Sequence, residues 1–191
     1  MSVINVARRQ INAKIVYYGP SLSGKTTNLL NIHSRMPAAA TNPMQSIATL
    51  DERTLFFDFV PIEQVRVGGW EIRFHLYSVP GQENYVRTRR AILGGADGVV
   101  FVADSAPDRL EANVASIAEL HEHLAHHQRS VVDTPVVLQY NKRDLDEVVP
   151  INELRPRLNP DDWAEYEASA LNGLGVAATL TDVSRRVAHL L

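Results

Sequence analysis

The sequence predicts an α/β fold, a three-layer arrangement around a mostly parallel sheet with one antiparallel strand. Strand-like runs recur along the chain, with helical stretches between most of them. Two of those runs, residues 98–103 and 135–140, are almost continuously apolar, as parallel strands covered on both faces are. Gly68-Gly69 and a polar stretch separate two further runs, which reads as a hairpin connection and accounts for the antiparallel pair.

The first predicted strand covers residues 15–19 and runs straight into a glycine-punctuated turn; residues 24–35 then read as the first helix. Residues 36–53 are rich in Ala, Pro, Thr and Asn with little periodicity, a long loop of the kind that responds to a ligand. Strands at 54–60 and 72–77 follow, then a helix at about 85–93. The strand at 98–103 leads to a helix at 108–127 that Pro107 or Asp108 can start. After the strand at 135–140 come a helix at 151–158, with Asn152 as its expected cap, and a short strand at 165–168. A last helix covers 176–191. No repeat, low-complexity tract or linker interrupts the series, so residues 1–191 are expected to form one domain.

Composition narrows the function classes. With 45% hydrophobic and 21% charged residues the chain has an ordinary globular make-up, and a net charge of -3 gives no electrostatic case for nucleic acid. There are no cysteines, which excludes disulfides, thiolate metal sites, prenylation and palmitoylation. Residue 2 is Ser rather than the Gly that myristoylation needs, and no secretory signal or membrane-length apolar stretch is present. A cytoplasmic protein without a direct membrane anchor is the expectation, carried to a membrane or cell pole only by a partner.

The segment Gly19-Pro20-Ser21-Leu22-Ser23-Gly24-Lys25-Thr26 has the pattern G-x-x-x-x-G-K-T between a strand and a helix. Its glycines let backbone N–H groups converge on phosphate oxygens, and the helix that opens at Thr27 adds its positive dipole end. Lys25 is placed to reach the β- and γ-phosphates and the Thr26 hydroxyl to ligate Mg²⁺, so the pattern predicts a bound nucleoside triphosphate.

Asn141-Lys142-Arg143-Asp144 follows the apolar strand ending at Tyr140. A carboxylate at Asp144 can accept from guanine N1–H and N2–H₂, whereas adenine would leave it unpaired, which favours GTP/GDP over ATP. Asn141 can tie the base loop to the phosphate loop, and the Lys142 stem can cover the base plane. The Ser169-Ala170-Leu171 loop follows the last strand and offers a backbone N–H to guanine O6.

Together these residues resemble the Ras-like small GTPases, and most closely the bacterial MglA-type motility and cell-polarity GTPases. The similarity runs through residues 14–20, 24–29, 53–59, 73–77, 79–82, 97–105 and 139–145, nearly end to end. It implies the Ras-like architecture of the P-loop NTPase sheet. It also implies that Thr54 contacts Mg²⁺ and the γ-phosphate, that the Gly81 N–H meets the γ-phosphate, and that Gln82 orients the attacking water. Arg53 matches an intrinsic arginine finger, which supplies positive charge to the transition state. A Roadblock-domain GTPase-activating protein and polarity or motility effectors are the implied partners, with the chain monomeric on its own.

Two departures from the common Ras-like pattern bear on rate. Ser78 stands where an aspartate usually holds an Mg²⁺-bound water, and the MglA type shares that lack. Ser21 stands in the phosphate loop where fast hydrolysers carry glycine, so intrinsic turnover is expected to be slow. The same two serines motivate a competing reading, a non-hydrolysing GTP-binding scaffold. An ATPase or small-molecule kinase is a third, and Asn141–Asp144 speaks against it. His121, His123, His126 and His127 read as a solvated helix face, and Trp70 and Trp163 as packing residues.

Overall fold

The computed structural model describes residues 3–37, 45–48, 53–59, 66–81 and 85–191, with side chains withheld at 3, 8, 45–48, 53–59 and 66–67. Among the described residues one sheet carries nine strands: β1 (Val3–Asn5), β2 (Gln10–Tyr18), β3 (Gln45–Ala48), β4 (Arg53–Phe59), β5 (Arg66–Val67), β6 (Trp70–Ser78), β7 (Gly98–Asp104), β8 (Val136–Asn141) and β9 (Ala164–Glu167). The order across it is β3-β4-β6-β2-β7-β8-β9. From β6 to β9 every neighbouring pair is parallel; β3, β4 and β5 add antiparallel on the β6 side, and β1 folds back on β2.

Among the described residues five helices cover the sheet: α1 (Lys25–Arg35), α2 (Val86–Leu93), α3 (Leu110–His126), α4 (Ile151–Leu158) and α5 (Val176–His189). Alternation along the strands sorts side chains to the two faces. Ile15, Tyr17, Phe74, Val100, Val102 and Val137 point to one face, where they pack on Leu29 and Ile32 of α1 and Val183 and Val187 of α5. Val16, Tyr18, Phe101, Leu138 and Tyr140 point to the other, against Leu93 of α2, Leu120 and Leu124 of α3, and Leu154 of α4. Both clusters are buried, so each central strand is apolar on both sides, which is why 98–103 and 135–140 lack alternation.

Several local expectations need correction. The segment 36–53 contains β3, which pairs through Ile47↔Thr54 and so is part of the sheet rather than wholly a loop. Asn152 lies inside the first turn of α4; Pro150 holds the cap position and no side chain caps it. Gly68 and Gly69 do form the hairpin turn, with φ of 57° and 85°, but the strand they join to β6 is the two-residue β5. A 3-10 turn at Pro107–Arg109 precedes α3 and uses proline's preset φ at its first position.

The expectation of a solvated histidine face holds at His126, which is exposed, and fails at His123. His123 is fully buried, its Nδ1 2.9 Å from the Tyr18 hydroxyl, because β2 packs directly beneath α3 there. His127 Nε2 lies 2.8 Å from the Arg90 carbonyl, and His121 pairs with Asp161 at 3.3 Å and stacks on Trp163. Among the described residues no cluster of His, Asp or Glu suits a metal ion, and no helix is long and apolar enough to cross a membrane.

Candidate nucleotide site

The predicted phosphate loop lies beyond the carboxyl end of β2, where ligands of parallel α/β sheets bind. Glycine is needed at both ends of the loop. Gly19 has φ 142°, and a Cβ there would lie 2.3 Å from the Val102 carbonyl oxygen. Gly24 has φ 98°, and a Cβ there would sit 2.2 Å from the Asn141 amide nitrogen. Lys25 opens α1 and is buried; its ammonium donates to the Gly19 carbonyl at 3.0 Å and the Pro20 carbonyl at 2.5 Å. That places the charge in the bend of the loop. Thr26 and Thr27 follow in the first turn, half-buried. Pro20 is buried, Ser21 half-buried and Leu22 projects into solvent. Ser23 is buried, and its hydroxyl finds no acceptor or donor among the described residues.

The second predicted motif meets the first through one side chain. Asn141, at the end of β8, donates from Nδ2 to the Ser23 carbonyl at 2.7 Å and accepts from the Ala170 N–H at 2.8 Å through Oδ1. A single buried amide thus joins the phosphate loop to the Ser169-Ala170-Leu171 loop. Ser169 is buried and closes that loop by pairing with Leu174, while Leu171 is exposed. Asp144 presents an exposed carboxylate. Lys142 has φ 67° and its ammonium lies 2.7 Å from Asp104 Oδ2.

After β6, Gly81 packs on the predicted phosphate loop so closely that a Cβ would come 2.4 Å from Ser21 Cα and 2.9 Å from Lys25 Nζ. Ser78 ends β6 fully buried. Arg53 and Thr54 begin β4, pairing in register with Ala48 and Ile47; their side chains lie outside the description. Gln82 lies outside the described residues.

Sequence reasoning missed four charged residues around this site. Asp104, buried at the end of β7, holds Lys142 and also faces Arg109 Nε at 3.6 Å. Arg109 in turn donates to the Ser21 carbonyl at 2.7 Å, so a cation before α3 anchors the middle of the phosphate loop. Arg89 of α2 is buried; it donates to the Pro80 carbonyl at 3.2 Å and to Glu119 at 2.5 Å. Glu119 also accepts from Tyr18 at 2.9 Å, and burial together with this carboxylate raises the tyrosine's pKa. A cleft of about 880 Å³ bounded by Ser21, Gly81, Arg89, Arg109 and Glu119 opens between the loop and α3. Only an acidic strand end, at Asp104, was readable in advance; nothing marks Arg89 or Arg109 among other helical arginines.

The arrangement suits a polyphosphate joined to a planar base. Two glycines open the loop, Lys25 sits within it, and the exposed Asp144 carboxylate stands beyond Asn141 as a hydrogen-bond acceptor. The Thr26 hydroxyl, in the first turn of α1, is a neutral oxygen donor of the type a hard cation such as Mg²⁺ takes.

The family model described as "ADP-ribosylation factor family" matches residues 1–187. Mutual gliding-motility protein MglA of Myxococcus xanthus (strain DK1622) is 48% identical over 187 residues, spanning 98% of this chain and 96% of that one. ADP-ribosylation factor-like protein 6 of Caenorhabditis elegans is 24% identical over 191 residues, with 97% and 91% coverage. Its counterpart in Caenorhabditis briggsae is also 24% identical, over 195 residues.

Proposed function

The chain belongs to the ADP-ribosylation factor family of Ras-like small GTPases, as an MglA-type member, and on that premise we propose that it is a slowly hydrolysing GTP switch. The observation that carries the reading is the Asn141 amide, bonded at once to the phosphate loop and to the 169–171 loop. A ligand with phosphates at one end and guanine at the other spans the two segments that this one residue joins.

In this reading the backbone from Gly19 to Gly24 and the Lys25 ammonium receive the phosphates, with Thr27 beside them. Asp144 accepts from guanine, the Ala170 N–H serves O6, and Lys142 and Leu171 flank the base. Thr26 and Thr54 would hold Mg²⁺, which would supply charge neutralisation to the phosphates. Gln82 orients a water for in-line attack, and water adds to the γ-phosphorus as the bond to the β-phosphate oxygen breaks, giving GDP and phosphate. Arg53 and Lys25 stabilise the charge that spreads over the transferring oxygens. The Ser21 side chain, close to the γ-phosphate in this reading, crowds Gln82 and slows the step.

Loss of the γ-phosphate removes a bond to the Gly81 N–H and to Thr54, which releases the surface presented to effectors. Polarity or motility effectors and a Roadblock-domain activating protein are the proposed partners, supported by the likeness to a gliding-motility protein. They would also recruit this otherwise cytoplasmic monomer to a pole or membrane.

Purified protein with Mg²⁺ and GTP is expected to release phosphate slowly and faster with an activating partner. Tight GTP binding without turnover under both conditions would leave the scaffold reading standing instead. Preference for ATP in competition would overturn guanine recognition altogether.

A further inference from the structure

Three polar side chains sit in the middle of the apolar face between the sheet and helices α1 and α5. Asn28, Gln139 and Thr179 are each 0% exposed, among Val137, Leu29, Val176 and Val183. Burying an amide without partners is costly, so the use of every proton matters. The two amides face each other reciprocally. Asn28 Nδ2 donates to Gln139 Oε1 at 2.8 Å, and Gln139 Nε2 donates to Asn28 Oδ1 at 3.1 Å. The second proton of Gln139 goes to Thr179 Oγ1 at 3.1 Å, and the second proton of Asn28 to the Gly24 carbonyl at 3.0 Å. The Thr179 hydroxyl donates onward to the Gly175 carbonyl at 2.8 Å. Each donor proton in the group has an acceptor.

The two ends of this circuit are functional segments. Gly24 is the glycine that ends the phosphate loop, and Gly175 is the residue that caps α5, directly after the 169–174 turn. Gln139 precedes Asn141 by two positions on β8, so both side chains leave the strand on the same face. Asn141 makes the outer tie between phosphate loop and base loop, and Asn28–Gln139–Thr179 makes an inner tie one strand period deeper. Aliphatic side chains would fill the same space, yet they tolerate sliding of α1 along the sheet. A reciprocal amide pair does not, because an axial shift of α1 breaks both of its bonds together.

We infer that Asn28, Gln139 and Thr179 are positioning residues that hold the phosphate loop and the base-reading loop at a fixed span, and so set how long a guanine nucleotide stays bound. The inference rests on the guanine-nucleotide reading above. A ligand gripped at both ends gains most when the distance between the grips is already correct, and a site that drifts in span loses that gain. None of the three side chains need touch the nucleotide to do this.

The test compares release of a fluorescent GDP from the full chain and from Asn28→Leu/Gln139→Leu/Thr179→Val, which removes the circuit without stranding any of its members. The variant is expected to keep its melting temperature to within a few degrees and to release GDP about tenfold faster, the size of effect typical of coupled buried groups. A release rate within twofold of the parent's, at matched melting temperature, overturns the inference and leaves the circuit a packing feature. Should the triple variant fail to fold, Thr179→Val alone decides: release about threefold faster supports the inference, and an unchanged rate overturns it. Failure of the parent chain to bind GDP at all would instead overturn the guanine reading, and the two failures are distinguishable in the same experiment.

Discussion

The two halves of the candidate site are held in different ways. Between the phosphate loop and the base loops, the ties are buried side-chain amides: Asn141 to Ser23 and Ala170, and Gln139 to Asn28. They belong to the parallel centre of the sheet, where β2, β7 and β8 are covered on both faces. Around Pro80 and Gly81, one of the ties among the described residues is charged. Arg89 holds the Pro80 carbonyl, and Glu119 and Tyr18 hold Arg89 and its partner in place. The comparison teaches where a switch can be built. The loops at 19–24 and 169–171 are joined by directional bonds between buried amides, whereas the Pro80 carbonyl before Gly81 accepts from a guanidinium. Because a peptide unit is planar, the orientation of the Pro80 carbonyl also sets that of the Gly81 N–H.

The largest expected effect that would break this contrast is on the base side. Asp144→Asn replaces an acceptor with a donor facing guanine N–H groups, so GDP affinity should fall at least about a hundredfold in a direct binding titration. Retained affinity would remove the base half of the comparison. Next come the catalytic assignments on the other half. Gln82→Leu and Arg53→Ala should each reduce phosphate release about a hundredfold at saturating GTP while leaving GDP affinity within a few-fold. Normal hydrolysis by both would show that the roles given to them are wrong.

A smaller effect sharpens the comparison directly. Arg89→Met keeps the stem in its packed place and removes the bonds to Pro80 and Glu119. The ratio of affinities for a non-hydrolysable GTP analogue and GDP should shift about fivefold, with GDP release itself little changed. Equal shifts for both nucleotides would mean that Arg89 serves overall stability and not the Gly81 peptide.

The smallest effect is a pH dependence. Burial pushes the His123 pKa below its ordinary value; Glu119 and Glu122 oppose this, while Arg89 and Arg90 add to it. Tyr18 faces the ring from β2. The folded state therefore keeps the imidazole neutral, and the unfolded chain takes up a proton first as pH falls. Stability from this group is complete above about pH 6.5 and is lost as pH drops below it. Thermal melts from pH 7.5 to 5 should show this decline, and His123→Phe should flatten it.

Much of the fold and of the proposed site is legible in the chain itself. The strand, glycine turn and helix at 15–35 announce one another by spacing, and Asn141–Asp144 follows directly on an apolar strand. Such motifs are readable because contiguous backbone and side chains make the contacts, so the chemistry is written in a few neighbouring letters. The departures had local causes too. His123 looks like its exposed neighbours in sequence, and only the packing of α3 on β2 takes it out of water. The antiparallel strand β3 has no alternating pattern to mark it, and its partner β4 supplies the order.

The fold class, the phosphate and base motifs and the family they resemble can be read from the residues in order, because they rest on local periodicity and short spacings. Only the tertiary structure decided that Asn28 meets Gln139, 111 positions away, and that Arg89 meets Glu119 and Pro80. A buried amide or a helical arginine carries no local sign of its partner. The partner exists once the order β6-β2-β7-β8 has brought α1, α2, α3 and α5 over the sheet, and burial then makes each such bond obligatory.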